Sequence, residues 1–427
     1  MRYLVLSTVL LIAATAVAHD YTPGTKQTEP ILLKGGDLYT ISDGVLETTD
    51  LLFIDGRITA IGENLTAPPG GRVIDVTGMQ VYPGLIAPWS ALGLVEIGEV
   101  RATLDLQEVG QVHPEIQAHI AYNTDSEIIP TVRSNGITTA LIVPRGGVIS
   151  GRSSLMNLDG WTYEDAAEKL NLGLHVNWPQ ERIITAWWME KTAEEQKEDN
   201  AKSRRQLIEA FEAARSYYLA IQADPTIATD TRWEAMRPLF TGEMKLFIHA
   251  DEYRQIEQAV AFAVKNNLRT VLVGGREAHQ LTDLLKEHDI PVVLGSLHVT
   301  PLREDDDYDL PYRLPKLLSE AGVRFCISSG SSATGTMNLP FQAGQAVALG
   351  LSPEEALRSV TLSAAEILGV AKDLGSLEVG KKATLIVAAG DILDVLTNRV
   401  VLEFIEGREV DLDNRHRELY RKYRARP

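Results

Sequence analysis

The chain has one cysteine in 427 residues, Cys326. No disulfide can form within it, so an oxidising compartment would leave its covalent structure unchanged. Cys326 lies in the apolar run VRFCI and reads as a buried, inert thiol. Basic residues are scarce beside acidic ones: 41 Lys and Arg against 58 Asp and Glu, a net charge of -17. Such a surplus repels polyanions and argues against nucleic acid as a partner. The one basic cluster is terminal, Arg415 to Pro427, and reads as a solvated tail or last helix; docking onto an acidic partner surface is the other reading. Beyond the N-terminus no apolar run reaches membrane-spanning length. Several catalytic signatures are missing as well. ISGRSS and ISSGSS hold serines but give no G-x-S-x-G between a strand and a helix. GGVISG and SSGSSATG are glycine-rich without the P-loop lysine or the dinucleotide-binding spacing.

What is present is an ordinary globular composition, 44% hydrophobic and 23% charged, long enough for a large core and a second, smaller domain. Residues 1–18 read as an export signal: Arg2 at the positive end, an apolar run from Leu4 to Ala14, and the small-residue site Ala16-Val17-Ala18. The expected mature start is His19, with no cysteine beside it to carry a lipid. A soluble periplasmic or secreted protein is the expectation.

Three β-like runs follow, ILLKGGDLYTI, DLLFIDGRITAIG and RVIDVTGMQVYPG, separated by glycine-rich turns in the manner of hairpins. The same signal returns only near the C-terminus, in GSLEVGKKATLIVAAGD and RVVLEFIEGREVDL. One small β domain assembled from both ends is therefore expected, from residues 19–84 and 373–427. Between them, over 85–372, short buried-strand candidates (GITTALIVP, MKLFIHA, LRTVLVGG, IPVVLG, VRFCISSG) alternate with helical segments. In one of these, Ile256, Val260 and Ala263 share a face. That alternation predicts a parallel α/β barrel, whose active site is built at the C-terminal ends of the strands.

In order, DLLFIDGRITAIG, VIDVTGMQVYPGLI, NGITTALIVP, FIHADEYRQIEQAV and GSLEVGKKATLIV resemble the amidohydrolase superfamily, and more closely its imidazolonepropionase-like members. The resemblance spans nearly the whole mature chain. It implies a distorted TIM (β/α)8 barrel with a small β-sandwich built from both ends of the chain, and metal-dependent hydrolysis of C–N bonds other than peptide bonds. The family's site has an H-x-H after the first strand, one His after the fifth, another after the sixth and an Asp after the eighth. The metal activates water and polarises the carbonyl while the Asp handles the proton.

Against that pattern most positions differ. Where D-x-H-x-H is usual, this chain reads Ala87-Pro88-Trp89-Ser90-Ala91, and a neutral hydroxyl such as Ser90 is a poor zinc ligand. The fifth-strand His is kept as His249. The sixth strand ends in Val273-Gly274-Gly275, and the eighth is followed by Ser329, Gly330 and Ser331 in place of Asp. Lys245 shares a face with His249, but four residues of strand at about 3.3 Å each separate them. His249 is left with three roles: contacting a ligand, binding zinc, or remaining as a satisfied polar residue. A recruited metal site could join His249, His298 and a carboxylate from the run Glu304 to Asp309, although such runs are more often solvated loops. His113 and His119, six apart, read as loop and first-helix residues, and His175 as core.

Two segments look specialised for binding. Pro144 to Trp161 offers Arg145 or Arg152 to an anionic group, and Ser328 to Phe341 lines the mouth after the eighth strand. The ligand-binding candidates are thus His249, Ser90, Arg145, Arg152, Ser329 and Ser331. No cofactor is expected, with zinc at His249 and His298 the alternative. The expected function is a non-catalytic or ligand-binding member that takes a small molecule at the barrel mouth. As partners, a second copy or an active relative come into question. The alternative is an active C–N hydrolase, on amides, imides or dipeptide-like substrates, with a recruited metal or none around His249.

Overall fold

The computed structural model describes residues 21–426; the export signal at 1–18 and the expected start at His19 lie outside the described residues. The two ends of the chain share one eight-stranded sheet. Ile31–Tyr39 pairs antiparallel with Val45–Ile54, which turns back into Arg57–Gly62. That hairpin closes on Asp55 and Gly56, both at positive φ (50° and 76°), the two-residue turn that an Asp-Gly pair favours. Arg72–Asp75 adds parallel to Ile31–Tyr39, and so does Gln80–Pro83. The other edge of Gln80–Pro83 takes Leu385–Ala388 antiparallel, and Val400–Ile405 and Arg408–Glu409 continue the sheet. The core beneath mixes Leu33, Leu51, Phe53 and Val81 with Leu385, Val387 and Phe404, and Phe53 meets Phe404 edge-on at 5.1 Å. Neither end could bury these side chains alone.

The second sheet is the barrel wall, eight strands in chain order: Leu85–Ser90, Ile137–Ile142, Ile149–Asn157, Ala167–Asn177, Lys245–Ala250, Thr270–Gly274, Val292–Leu294 and Phe325–Ile327. Alternation along each strand sorts the side chains. Ile86, Leu141, Phe247, Val271, Val293 and Cys326 fill the lumen, whereas Leu174, Leu246, Ile248 and Leu272 face the surrounding helices. The Cys326 thiol is fully buried and burial pushes its pKa up. The helix Tyr253–Lys265 lays Ile256, Val260 and Ala263 on the wall, as its periodicity predicts. Between the eighth strand and the first, the helix Leu362–Leu368 packs on both, and Ile86 N–H donates to Val360 O at 2.9 Å.

One element departs from the expected parallel barrel. The segment Pro144 to Trp161, read from sequence as a binding loop, contains the third strand, and Ile149–Asn157 runs antiparallel to both neighbours. The link from Ile142 to Ile149 is short, and a parallel crossover needs a dozen or more residues, so only a hairpin can follow. Gly146 and Gly147 make the turn at φ 85° and 62°. The basic C-terminus forms the helix Arg415–Arg424 with no buried residue. Among the described residues no helix is long and apolar enough to cross a membrane.

Candidate functional site

At the C-terminal ends of the fourth and fifth strands two imidazoles meet. Leu174 and Val176 point to the helices, so His175 points inward; Phe247 and His249 do the same on the neighbouring strand. His175 Nδ1 and His249 Nε2 lie 2.9 Å apart. His175 stacks on Phe247 at 4.8 Å, and the Trp89 ring stands edge-on to His249 at 5.0 Å. Burial, with help from the Arg145 charge, pulls His249 down to about 4. Burial and the facing His249 hold His175 well below the usual imidazole range. Both rings are therefore neutral at pH 7, and the contact is a hydrogen bond in which one nitrogen donates and the other accepts. Sequence placed His175 in the core, correctly as to burial, but missed its partner: strand alternation shows which way it faces, not which residue it meets.

Arg145 follows the second strand and reaches across to donate from Nη2 to Ser331 O, tying the loop after the second strand to the one after the eighth. Its Nε is buried without a hydrogen-bond partner. Burial also lowers its pKa. Ser329 is 7% exposed and its hydroxyl has no partner either. Ser331 offers its carbonyl to Arg145. A buried guanidinium N–H and a buried hydroxyl left open cost stability unless something fills them. Asp251 stands two residues beyond His249. Burial raises its carboxyl pKa, Glu252 and Glu277 add to the rise, and Arg276 opposes it. A β-carbon at Gly274 would come within 2.5 Å of Asp251 Oδ1 and 3.2 Å of Ala250 O, so a side chain there would press on that carboxylate. Asp251 was not singled out from sequence; its place two residues after a strand-end histidine was the available signal.

Three candidates stand elsewhere. Ser90 is fully buried and its hydroxyl is committed: it accepts from Leu92 N–H at 3.1 Å and meets Thr336 Oγ1 at 2.7 Å. Because Thr336 Oγ1 already donates to Ser332 O, Ser90 is the donor to Thr336, and the residue locks the strand to the loop instead of offering itself to a ligand. Arg152 pairs with Leu174 on the third and fourth strands, which turns it outward, and it donates to Glu115 O at 3.0 Å. The hairpin that sequence reading did not foresee is the cause, since strand alternation sends Arg152 to the face opposite Gly151 and His175. His298 packs its ring against Tyr312 at 6.2 Å and lines a groove with Asn338, Phe341 and Gln345. It is not gathered with His249: among the described residues no group of three or more His, Cys, Asp or Glu side chains is placed to hold a metal ion. Zinc takes three or four protein ligands, so the donor set in this arrangement does not fit it.

A TIM-like barrel closed at one side by a helix, carrying a sandwich from both termini and a histidine at the end of the fifth strand, defines the class. Residues 98–410 match the Amidohydrolase family, and the chain belongs to it. It is similar to an imidazolonepropionase from Symbiobacterium thermophilum, 25% identical over 394 residues, covering 84% of this chain and 90% of that protein. A dihydroorotase from Geotalea daltonii is 46% identical over 56 residues, 13% of each chain. Among solved structures, an amidohydrolase from Thermotoga maritima MSB8 superposes with a TM-score of 0.80 at 24% identity, covering 89% of this chain and 99% of that one.

Proposed function

We propose that this amidohydrolase-family protein binds a small, carboxylate-bearing ligand at the barrel mouth and does not carry out metal-dependent C–N hydrolysis. The observation that carries the reading is the His175–His249 pair beneath Trp89. One imidazole bonds the other at the ends of the fourth and fifth strands, and the Trp89 indole edge stands over His249. The open Arg145 Nε and Ser329 hydroxyl supply an anion contact and a hydrogen-bond donor beside neutral rings. The similar imidazolonepropionase and the similar dihydroorotase suggest cyclic amides that carry a carboxylate as first ligands to try. Export to the periplasm or medium, and pairing with a second copy or an active relative, belong to the same reading.

A second reading is supported by one observation: the buried Asp251 carboxyl, with its raised pKa two residues from His249, has the character of a general acid or base, so a metal-free hydrolase is the alternative. The test is elemental analysis of the purified chain together with calorimetric titration of cyclic amides, dipeptides and acylated amino acids. Binding that weakens about tenfold or more in Arg145→Met, with no stoichiometric metal and no turnover, is expected. One transition metal per chain would overturn the first reading, and turnover lost in His249→Ala and Asp251→Asn would establish the second.

A further inference from the structure

The face of the barrel opposite the mouth carries cations that the proposed function does not use. Lys169 lies near the start of the fourth strand, Lys245 opens the fifth, Arg269 precedes the sixth and Arg324 precedes the eighth. Such a gathering stands out in a chain of net charge -17. Lys245 Nζ donates to Ile367 O, and Lys169 Nζ donates to Gly369 O at 3.4 Å. Both carbonyls belong to the C-terminal end of the helix Leu362–Leu368, which Gly369 caps at φ 73°. Apart from its chain neighbours, the two ammonium nitrogens are the only heavy atoms among the described residues within 4 Å of where a β-carbon at Gly369 would stand, at 3.6 and 3.8 Å. Two ammonium groups thus converge on the exposed Gly369.

The nearby carboxylates are already engaged: Asp289 with Arg324 at 2.7 Å, Glu366 with Arg358 at 2.7 Å, and Glu168 with Lys382 at 2.6 Å. Lys169, Lys245 and Arg269 are left in surplus. Burial, then the charges of Arg269, Lys169 and Arg324, pull Lys245 down to about 8, and Asp289 opposes them. Each ammonium has three hydrogens, and only one is committed to a backbone carbonyl.

We propose that this face binds a phosphate-class anion, held between Lys169 and Lys245 beside Gly369 with Arg269 at its edge. A free phosphate or phosphomonoester and a phospholipid headgroup offer the same chemistry. The full chain is titrated with inorganic phosphate against chloride at matched ionic strength, and floated with vesicles of phosphatidylglycerol against phosphatidylcholine alone. Phosphate binding that weakens about tenfold in Lys169→Ala and again in Lys245→Met is the expected result. Lys169 is exposed, so its substitution tests the site without disturbing the core. Vesicle binding that needs Lys169, without free-phosphate binding, supports the same site with a headgroup as its ligand. Absence of both, or binding unchanged by Lys169→Ala and by the charge reversal Lys169→Glu, overturns the proposal.

Discussion

Glu403 sits in the strand Val400–Ile405, fully buried, with neither carboxyl oxygen hydrogen-bonded. Burial raises its pKa well above the usual carboxylate range; Asp159 adds to the rise and Arg133 opposes it. A carboxyl raised in the fold favours the native state least where the unfolded chain is ionised. Below the ordinary value of about 4.3 both states are protonated and Glu403 makes no pH-dependent contribution. Above it, the native state must hold a proton that the unfolded state releases. Stability therefore falls as pH rises, by up to about 1.4 kcal/mol per pH unit for this one group, until the folded pKa is reached. Glu403→Gln removes the ionisation and should flatten that slope. Glu403→Met also removes the unpaired oxygens and should add about 1–3 kcal/mol at pH 7. Urea unfolding of the three proteins between pH 4 and 8 reads both effects, and near pH 4 Glu403→Gln should match the parent. Parallel pH profiles for parent and Glu403→Gln would refute the reasoning, because they would mean that the buried carboxyl is charged and compensated.

Three further substitutions probe buried polar contacts. Arg133 and Asp159 form a buried ion pair at 3.1 Å, with Arg133 also donating to Leu158 O and Asp411 O; Arg133→Met leaves the carboxylate with Arg408 at 3.5 Å and the Gly24 N–H at 3.2 Å, so urea unfolding should show a loss of about 1–3 kcal/mol, short of what a fully unpaired buried charge costs. Ser90→Ala should cost about 1–3 kcal/mol by leaving Leu92 N–H without its acceptor, while ligand affinity stays unchanged once folded protein is compared. Gly274→Ala should cost about 1–3 kcal/mol and disturb the mouth, since the residue sits at φ 98° and its new methyl would press on Asp251 Oδ1; unaltered stability would show that the carboxylate can move aside.

The division between sequence and tertiary structure follows the range of the forces involved. Hydrophobic periodicity, the Asp55-Gly56 turn and the return of β-like runs after Gly375 are local patterns, and they suffice for two sheets, a barrel and a domain built from both ends. They also place His249 at the end of the fifth strand, and they show what stands at Trp89, Gly274 and Ser329. The residues that surround each of these are a different matter. Period-two alternation tells that His175 faces one side of its strand, but only the lateral order of strands brings it to His249 at 2.9 Å. Arg152 looked as available as Arg145 until the hairpin after Ile142 turned the third strand antiparallel and sent its side chain outward. Ser90 carried a free hydroxyl in sequence and a committed one in the fold, because its partner Thr336 is 246 residues away. Lys169 and Lys245 likewise share the space beside Gly369 only once the barrel has wound. Local pattern decides what each segment becomes, whereas contacts between segments far apart in the chain decide which polar groups are satisfied and which are left open to bind.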